Sequence, residues 1–286
     1  MTGRLRAGTS GFAYPDWAPA FYPAGLRGDA LLAHYATRLD ACELNNTYYQ
    51  RPTEPKVAAW LRATPSTFRF AVKAQRGGSH RALMVDPAAS VPWLTEPLAW
   101  LGDQLGSVLF RVPEPVRRDD ARLAALLAAW PPGIPLTLEF QHPSWQVDEV
   151  FAALNEANAA LCATELPDDG LPPTIRVTGP FLYLRLRRHG YDAAQLGAWA
   201  DRLVPFLDAG RDAYVFFRHD ETGLAPGYAS DLSTAVAERL GRSADQERAQ
   251  RAGRAERTEG PDGPDVGTEE TGPPHASAPR GRTRPG

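Results

Sequence analysis

Short apolar runs recur along the chain and are separated by longer stretches in which apolar positions follow a helical period. An apolar run of about four to eight residues with β-branched or aromatic side chains is typical of a strand. Eight such runs are predicted, at Leu5–Thr9, Ala41–Asn45, Phe68–Lys73, Val108–Val112, Leu136–Gln141, Ala160–Glu165, Phe181–Arg187 and Ala213–Arg218.

Helices are predicted between these strands. Six have a clear period, over Ala30–Leu39, Glu54–Ala63, Asp120–Trp130, Glu149–Asn158, Ala193–Leu207 and Pro226–Leu240. Five are preceded by residues that favour the N-cap position, namely Asp29, Thr53, Asp119, Asp148 and Asp192. A seventh helix, Val91–Leu105, contains Pro92 and Pro97 near its start. The connection between the sixth and seventh strands is predicted to be a loop with at most one helical turn.

The order of these elements predicts the fold class. Eight strands in β-then-α order, in a body close to the ~250 residues usual for the fold, indicate a TIM-type (β/α)8 barrel in an α/β protein. An open doubly wound sheet would need a GxGxxG turn after the first strand, where this chain has GTSGFAY. The barrel domain is predicted to span residues 1–241.

Residues 242–286 differ in composition from the rest of the chain. They are rich in Gly, Pro, Arg and acidic residues, and Val266 is their one large apolar side chain. Such a segment cannot bury enough apolar surface to fold, so a disordered tail is predicted. Its eight Arg and eight acidic residues cancel, which places the net charge of −3 in residues 1–241. A mildly acidic body disfavours a general nucleic-acid-binding surface.

Cysteine usage and the amino terminus indicate a cytoplasmic protein. Cys42 and Cys162 each lie within an apolar run and lack the close spacing of a zinc or redox motif, so both are predicted to be buried thiols. The first residues carry charge without an apolar signal region, and the apolar stretches elsewhere are too short to cross a bilayer. No membrane association is expected.

Polar side chains are predicted to gather at the carboxyl ends of the strands, where TIM-barrel chemistry takes place. Strand alternation puts them on the inward-facing side, with aliphatic neighbours facing the helices. The candidates of this kind are Glu43, Asn45, Lys73, Arg111, Glu139, Gln141, Arg185 and Arg187. Arginine prevails among them although the body is acidic, so a small anionic ligand is predicted. Structural ion pairs are the alternative explanation of these charges.

Further candidates follow the strands in the loops. Four histidines do so, His80, His142, His189 and His219, and Arg76 follows the third strand. Trp17 and Trp145 either form walls of a ligand pocket or simply cover the barrel mouth. Lys73 is open to three interpretations: a Schiff-base nucleophile, a phosphate anchor or an ion-pair partner of Glu43. The last two are favoured.

Three functions are compatible with this pattern. The first is an enzyme, a hydrolase, lyase or isomerase, that acts on a small phosphorylated or carboxylated metabolite. Glu43 and Glu139 are its acid and base, Lys73 and His142 are further catalytic candidates, and Arg111 and Arg185 help to hold the anion.

The second function is a metal-dependent sugar isomerase or an endonuclease IV-like phosphodiesterase. Its metal ligands would come from Glu43, His80, Glu139, His142 and Glu165. The third is an anion-binding barrel without turnover. No cofactor is predicted, although a divalent metal is left open. A nucleic-acid partner is less favoured than a small anion, and the oligomeric state is not predicted.

The chain also resembles a known family. The segments that carry the resemblance are GTSGFAYPDW, FYP at 21–23, ELNNTYYQRP at 43–52, FRFAVKAQRGGSH at 68–80, GSVLFRVPEP at 106–115, EFQHPSW at 139–145, LYLRLRRHGY and AYVFFRHD. They resemble the YecE-like proteins, or domain of unknown function 72, over nearly the whole body. The resemblance implies a TIM-type barrel with a polar, partly cationic mouth and implies no activity.

The chain departs from the family pattern at three places. Arg111 stands where the family usually has Gln, and Gln141 stands where it usually has Arg. We hypothesise that this exchange supplies the same guanidinium from a neighbouring strand. Arg218 and His219 replace a pair of asparagines, and Glu165 replaces an Asp.

Overall fold

Eight parallel strands form a closed barrel in their sequence order. The computed structural model describes residues 2–168 and 170–258, with side chains as far as Arg242. The strands are β1 (Leu5–Ser10), β2 (Ala41–Leu44), β3 (Arg69–Lys73), β4 (Leu105–Val112), β5 (Leu136–Phe140), β6 (Ala160–Glu165), β7 (Phe181–Leu186) and β8 (Asp212–Phe217). The barrel closes where β1 pairs with β8 and Leu5 lies opposite Ala213. The predicted TIM-type fold is confirmed.

Helices follow most of the strands. They are α1 (Asp29–Ala36), α2 (Glu54–Ala63), α3 (Arg76–Met84), α4 (Pro87–Thr95), α5 (Asp120–Ala129), α6 (Asp148–Glu156), α7 (Ala193–Asp208) and α8 (Ala225–Thr258). Short 3-10 helices cover Pro15–Trp17, Asn46–Tyr48, Glu96–Gln104 and Pro143–Trp145. In the described residues between β6 and β7 the chain forms no helix, in agreement with the predicted loop.

The predicted N-cap positions are confirmed at three helices, two of which have a side-chain capping bond. The Asp119 carboxylate accepts a hydrogen bond from the backbone of α5, and Asp192 forms a capping box with Gln195 at α7. Thr53 occupies the N-cap of α2 without a side-chain bond. Asp29 and Asp148 are instead the first residues inside α1 and α6, so their assignment as N-caps was wrong.

The segment between β3 and β4 differs most from the prediction. The helix predicted at Val91–Leu105 is divided into α4 and a 3-10 helix, because Pro97 has no N–H to donate and Gly102 adopts a positive φ of 51°. β4 therefore begins at Leu105, which pairs with Phe70. The sequence also missed α3. Its residue Gly78 packs so closely on α4 that a Cβ would lie 2.6 Å from Trp93.

Apolar side chains form two layers. The larger lies between the strands and the surrounding helices and includes Cys42. The smaller fills the barrel interior and includes Ala71, Leu109, Cys162 and Phe216. Both thiols are buried and unpaired, as predicted. Charged interior side chains gather at the carboxyl end of the strands, above this layer, which also contains a hydrogen-bonded pair, Ser107 and Thr137.

The end of the chain is described only in part. α8 continues past the predicted domain boundary at Gly241 and reaches Thr258, so the backbone of 242–258 is helical. The disorder predicted for the remaining residues, 259–286, lies outside the described residues. No helix in the described part of the chain has the length and apolar character needed to cross a membrane.

Candidate functional site

A buried arginine joins two glutamates across the carboxyl end of the barrel. Arg185 on β7 donates from Nε and Nη2 to the Glu43 carboxylate on β2, at 3.0 and 2.9 Å. Its Nη1 donates to both oxygens of Glu139 on β5, at 2.9 and 3.1 Å. Three strands that are distant in sequence are thus connected through one guanidinium. Arg185 is 2% exposed, so this connection lies inside the barrel.

Neutral hydroxyl donors complete the hydrogen bonding of both carboxylates. Ser10 and Tyr183 donate to Glu43, each at 2.8 Å, and Thr164 donates to Glu139 at 2.9 Å. Arg111, which pairs with Glu139 in the β4–β5 register, also donates to that carboxylate. Each of the four carboxylate oxygens therefore accepts two hydrogen bonds. This arrangement satisfies the glutamates and fixes the orientation of both guanidinium groups.

The network sets the charge of its members. Burial alone would raise the pKa of Glu139, but Arg185 and Arg111 lower it to about 2. For Glu43 burial is likewise outweighed by Arg185 and Lys73, and its pKa is lowered. The two carboxylates raise the pKa of Arg185 against the effect of its own burial. Both glutamates are consequently anionic at neutral pH.

Lys73 lies beside this network without joining it. Its Nζ donates to Asn45 Oδ1 at 3.2 Å and lies 4.7 Å from the centre of the Tyr48 ring. No described carboxylate forms an ion pair with it. Burial, aided by Arg185 and Arg111, lowers the pKa of Lys73 to about 8, although Glu43 acts in the opposite direction. Lys73 is therefore partly neutral near physiological pH.

Arg187 is a second cation without a carboxylate partner among the described residues. It lies half-buried one layer above Arg185, on the same face of the chain. Burial and the nearby Arg185 lower the pKa of Arg187. We call Glu43, Lys73, Arg111, Glu139, Arg185 and Arg187 the mouth cluster. Its four cations and two carboxylates leave an excess of two positive charges when Lys73 is protonated.

Several predicted residues lie away from this cluster. Gln141 is exposed because β5 ends at Phe140, one residue before it. His142 caps the following 3-10 helix, where its Nδ1 lies 2.8 Å from Ser144 Oγ. Arg76 and His80 are exposed on α3. The structure does not bring any of these side chains into contact with the mouth cluster in the described residues.

Both candidate tryptophans are fully buried. Trp17 donates its indole N–H to the Asp220 carbonyl at 2.7 Å, and Trp145 donates to the Val116 carbonyl at 2.8 Å. Trp145 also stacks on Phe140. Neither ring offers an open face for a ligand. The geometry therefore favours the alternative in which the two indoles simply cover the barrel mouth.

A separate cavity of about 340 Å³ lies beyond β7 and β8. His189, Arg188, Arg218 and His219 contribute to its wall, together with acidic residues of the loop that follows β8. The His219 ring stacks on Tyr14, and burial together with Arg218 and Arg187 lowers its pKa. His219 is therefore mainly neutral at neutral pH. Two of the four predicted loop histidines, His189 and His219, therefore border this cavity.

Glu165 belongs to a different polar cluster. It faces the helices and accepts hydrogen bonds from Arg188, Tyr191 and Trp199 at 2.8, 2.7 and 3.3 Å. It is therefore separated from Glu43 and Glu139, which face the barrel interior. Among the described residues, no group of three or more His, Cys, Asp or Glu side chains is arranged to hold a metal ion. The ligand set considered for a metal-dependent enzyme is not assembled in this structure.

Asn45, which accepts a hydrogen bond from Lys73, was predicted from the sequence, but four other neutral side chains of the site were missed. Ser10, Tyr48, Tyr183 and Thr164 all contact charged side chains of the mouth cluster. Tyr183 and Ser10 could have been found, since strand alternation already places them on the inward-facing side. Tyr48 could not, because it lies in a 3-10 helix after β2, where alternation no longer holds.

The fold and the site together define the class of protein. It is a (β/α)8 barrel whose carboxyl end holds a buried arginine–glutamate network with an excess of cations. The chain belongs to the family described as "Protein of unknown function DUF72", which it matches over residues 6–252. The predicted YecE-like resemblance is thereby confirmed.

Solved structures of two relatives share the fold. A DUF72 family protein from Thermotoga maritima MSB8 is 24% identical, with a TM-score of 0.69 over 83% of this chain and 99% of that chain. A DUF72 family protein from Enterococcus faecalis V583 is 19% identical, with a TM-score of 0.67 over 82% of this chain and 95% of that chain. No curated protein matches the sequence. Likeness at these identities concerns the fold, and a fold does not specify an activity.

Proposed function

We propose that the chain is an enzyme that binds a small anionic metabolite at the mouth of the barrel. The observation that carries this proposal is the pair of cations, Lys73 and Arg187, that have no carboxylate partner in the described residues. Unpaired, partly buried cations are costly unless a counter-charge reaches them. A phosphate or carboxylate group would supply that counter-charge.

The location of the cations supports an active site. Lys73, Arg111 and Arg187 lie at or just beyond the carboxyl ends of β3, β4 and β7. This end of a TIM barrel carries the active site in characterised enzymes of the fold. Arg111 is partly exposed and is held in place by Glu139, so its remaining N–H groups can donate to a ligand.

The two glutamates have a positioning role in this proposal. An acid or base works best when its pKa lies near the working pH, and Glu139, with a pKa of about 2, lies far below it. All carboxylate oxygens of Glu43 and Glu139 are already occupied by protein donors. We therefore assign both to the orientation of Arg185 and Arg111, which replaces the acid–base role expected from the sequence.

Anion-dependent thermal stabilisation of the full chain tests the proposal. The panel contains sulfate, phosphate, a sugar phosphate, a sugar acid and a short nucleotide, each with and without Mn²⁺ or Zn²⁺. A ligand at about 100 times its Kd adds about 2.7 kcal/mol to the free energy of unfolding. We expect a metal-independent increase in Tm with at least one small anion.

Two arginine variants locate the bound anion. Arg187→Gln should weaken binding by about 10- to 100-fold, because a charged hydrogen bond contributes about 1.5–3 kcal/mol. Arg38→Gln is the matched control, since Arg38 is exposed between α1 and β2 at the opposite end of the barrel. Equal stabilisation of wild type and Arg187→Gln, or stabilisation only with metal, would contradict the proposal.

A further inference from the structure

The amine of Lys73 has surroundings suited to a nucleophile. It lies at the carboxyl end of β3 and is 9% exposed, so part of the side chain remains open to solvent. Its one described side-chain hydrogen bond is to a neutral acceptor, Asn45 Oδ1. A lysine that served only as a structural ion-pair partner would be expected to contact a carboxylate directly.

The neighbouring carboxylates are not available to Lys73. The oxygens of Glu43 and Glu139 already accept two hydrogen bonds each, from Arg185, Arg111 and the hydroxyl groups of the network. Moving either carboxylate toward Nζ would break bonds to a buried guanidinium. The network therefore keeps the amine beside two anions but out of contact with both.

Charged and titratable groups surround the amine on several elements. They are Glu43 on β2, Tyr48 in the following 3-10 helix, Arg111 on β4, Glu139 on β5, Arg185 on β7, and His219 after β8. Arg187 lies near the same histidine. Burial together with Arg185 and Arg111 favours the neutral amine, and Glu43 and Glu139 act in the opposite direction. The neutral amine, with its free electron pair, is the form that attacks a carbonyl group.

We propose that Lys73 forms an imine with the carbonyl group of a small anionic substrate. The inference rests on the proposed anion site and names the chemical class of its substrate: an aldehyde or ketone that also carries a phosphate or carboxylate. Arg187 and Arg111 hold the anionic group, and Lys73 reaches the carbonyl carbon.

The step balances without a co-reactant. The nitrogen electron pair forms a C–N bond while the carbonyl π-electrons move to oxygen, which takes up a proton. Loss of the second nitrogen proton and departure of the oxygen as water then give the C=N bond. Protonation of that nitrogen gives an iminium, and water reverses the sequence. The iminium draws electrons from the adjacent carbon, which makes the C–H bonds there more acidic.

The chain provides its own control for a test. It contains two lysines, and the other, Lys56, is exposed on α2. With a pKa of about 8, Lys73 is neutral in about a quarter of the molecules at pH 7.5, against about one in a thousand for an ordinary lysine. The full-length protein is incubated with glyoxylate and sodium cyanoborohydride, which reduces an iminium to a stable amine. Peptide mass spectrometry then locates the adduct.

The expected result is a carboxymethyl adduct on Lys73, with at least about tenfold more modification than on Lys56. Excess sulfate should suppress it, and propionaldehyde, which has no anionic group, should show weaker selectivity for Lys73. Lys73→Arg should abolish the selective adduct while keeping a positive charge, and Lys56→Arg should leave it unchanged. The comparison of the two lysines within the wild-type chain does not depend on whether a variant folds.

Other results separate the two proposals. Equal modification of Lys73 and Lys56, with sulfate still stabilising the protein, would overturn imine formation and leave the anion site standing. A selective Lys73 adduct that sulfate does not suppress would support the nucleophile and contradict the anion site beside it. Equal modification without any stabilisation by sulfate would overturn both.

Discussion

Removal of Arg185 should destabilise the protein in a pH-dependent manner. In Arg185→Met the side chain keeps a similar length but loses its charge, so Glu43 retains Ser10 and Tyr183 as direct donors, while Glu139 retains Arg111 and Thr164. Breaking a buried ion pair by removing one partner costs about 3–5 kcal/mol. We expect a loss of this size in the free energy of unfolding at pH 7.5.

The sign of the pH dependence follows from the pKa values. In the wild type, the pKa of Glu139 falls from the usual 4.5 to about 2, which corresponds to about 3 kcal/mol of stability. That contribution is present above pH 4.5 and is lost as the pH falls toward 2. In the variant, burial without Arg185 raises the pKa of Glu43. The folded state of the variant is therefore stabilised at low pH, and its free energy of unfolding decreases as the pH rises.

The difference between wild type and variant should therefore shrink in mild acid. Folding of the variant requires that Glu43, whose usual pKa is near 4.5, takes up a proton. This protonation costs about 3 to 4 kcal/mol at pH 7 and about 1 kcal/mol at pH 5. We expect the gap in unfolding free energy to fall by about 2–3 kcal/mol between pH 7 and pH 5. Urea unfolding followed by tryptophan fluorescence measures it at both pH values.

Two controls make this result specific. Arg38→Met removes an exposed arginine and should leave the unfolding curve unchanged at both pH values. Adding Glu43→Gln to Arg185→Met should restore part of the stability at pH 7, since the unpaired buried charge is then absent. A gap that is the same at pH 7 and pH 5, or a double variant no more stable than Arg185→Met, would show that Glu43 is not the source of the instability.

Three further predictions concern Glu165, Trp17 and the pH dependence of sulfate binding. Glu165→Gln should lower the unfolding free energy by about 2 kcal/mol in urea titration, because the charged hydrogen bond from Arg188 is weakened; no loss would contradict this. Trp17→Phe should cost about 1–3 kcal/mol through the bond to the Asp220 carbonyl yet leave sulfate affinity unchanged, and weaker binding would restore a ligand role to the indole. Sulfate, whose charge is constant between pH 7 and 9, should bind about tenfold more weakly at pH 9 by calorimetry as Lys73 loses its proton around pH 8. Lys73→Met should bind sulfate with the same affinity at both pH values.

Strand alternation was sufficient to predict the charged members of the mouth cluster. Glu43, Lys73, Arg111, Glu139 and Arg185 alternate with aliphatic residues on their strands, and a closed parallel barrel brings every inward-facing strand end to the same place. The apolar pattern indicates which face of each strand points into the barrel and where the strand ends. For this reason the composition of the cluster could be predicted without knowledge of its contacts.

The pairing of these charges could not be predicted. The sequence contains no sign that one guanidinium satisfies both Glu43 and Glu139, which depends on barrel diameter and side-chain length. We therefore propose a positioning role for both glutamates in place of the acid and base roles, and Lys73 gains importance because no described carboxylate pairs with it.

Residues beyond the strand ends were the hardest to place. Strand alternation predicted that Gln141 faces the barrel interior, but β5 ends one residue before it and its side chain is exposed to solvent. The hypothesis that Arg111 takes over the guanidinium of that position stays a prediction, although Arg111 does lie next to Glu139 on the neighbouring strand. Loop sequences also do not show whether an indole such as Trp145 faces inward or outward.

In the proposed site, a partly neutral lysine that has no carboxylate partner in the described residues shares the barrel mouth with a bound anion. NMR of the full chain with ¹⁵N-labelled lysine side chains tests it most directly, with Lys56→Arg used to assign the two signals. We expect the Lys73 signal to titrate near pH 8 and sulfate to move this midpoint upward, because a bound anion favours the charged amine. A Lys73 midpoint at the usual 10.5, or a midpoint near 8 that sulfate leaves unchanged, would contradict it.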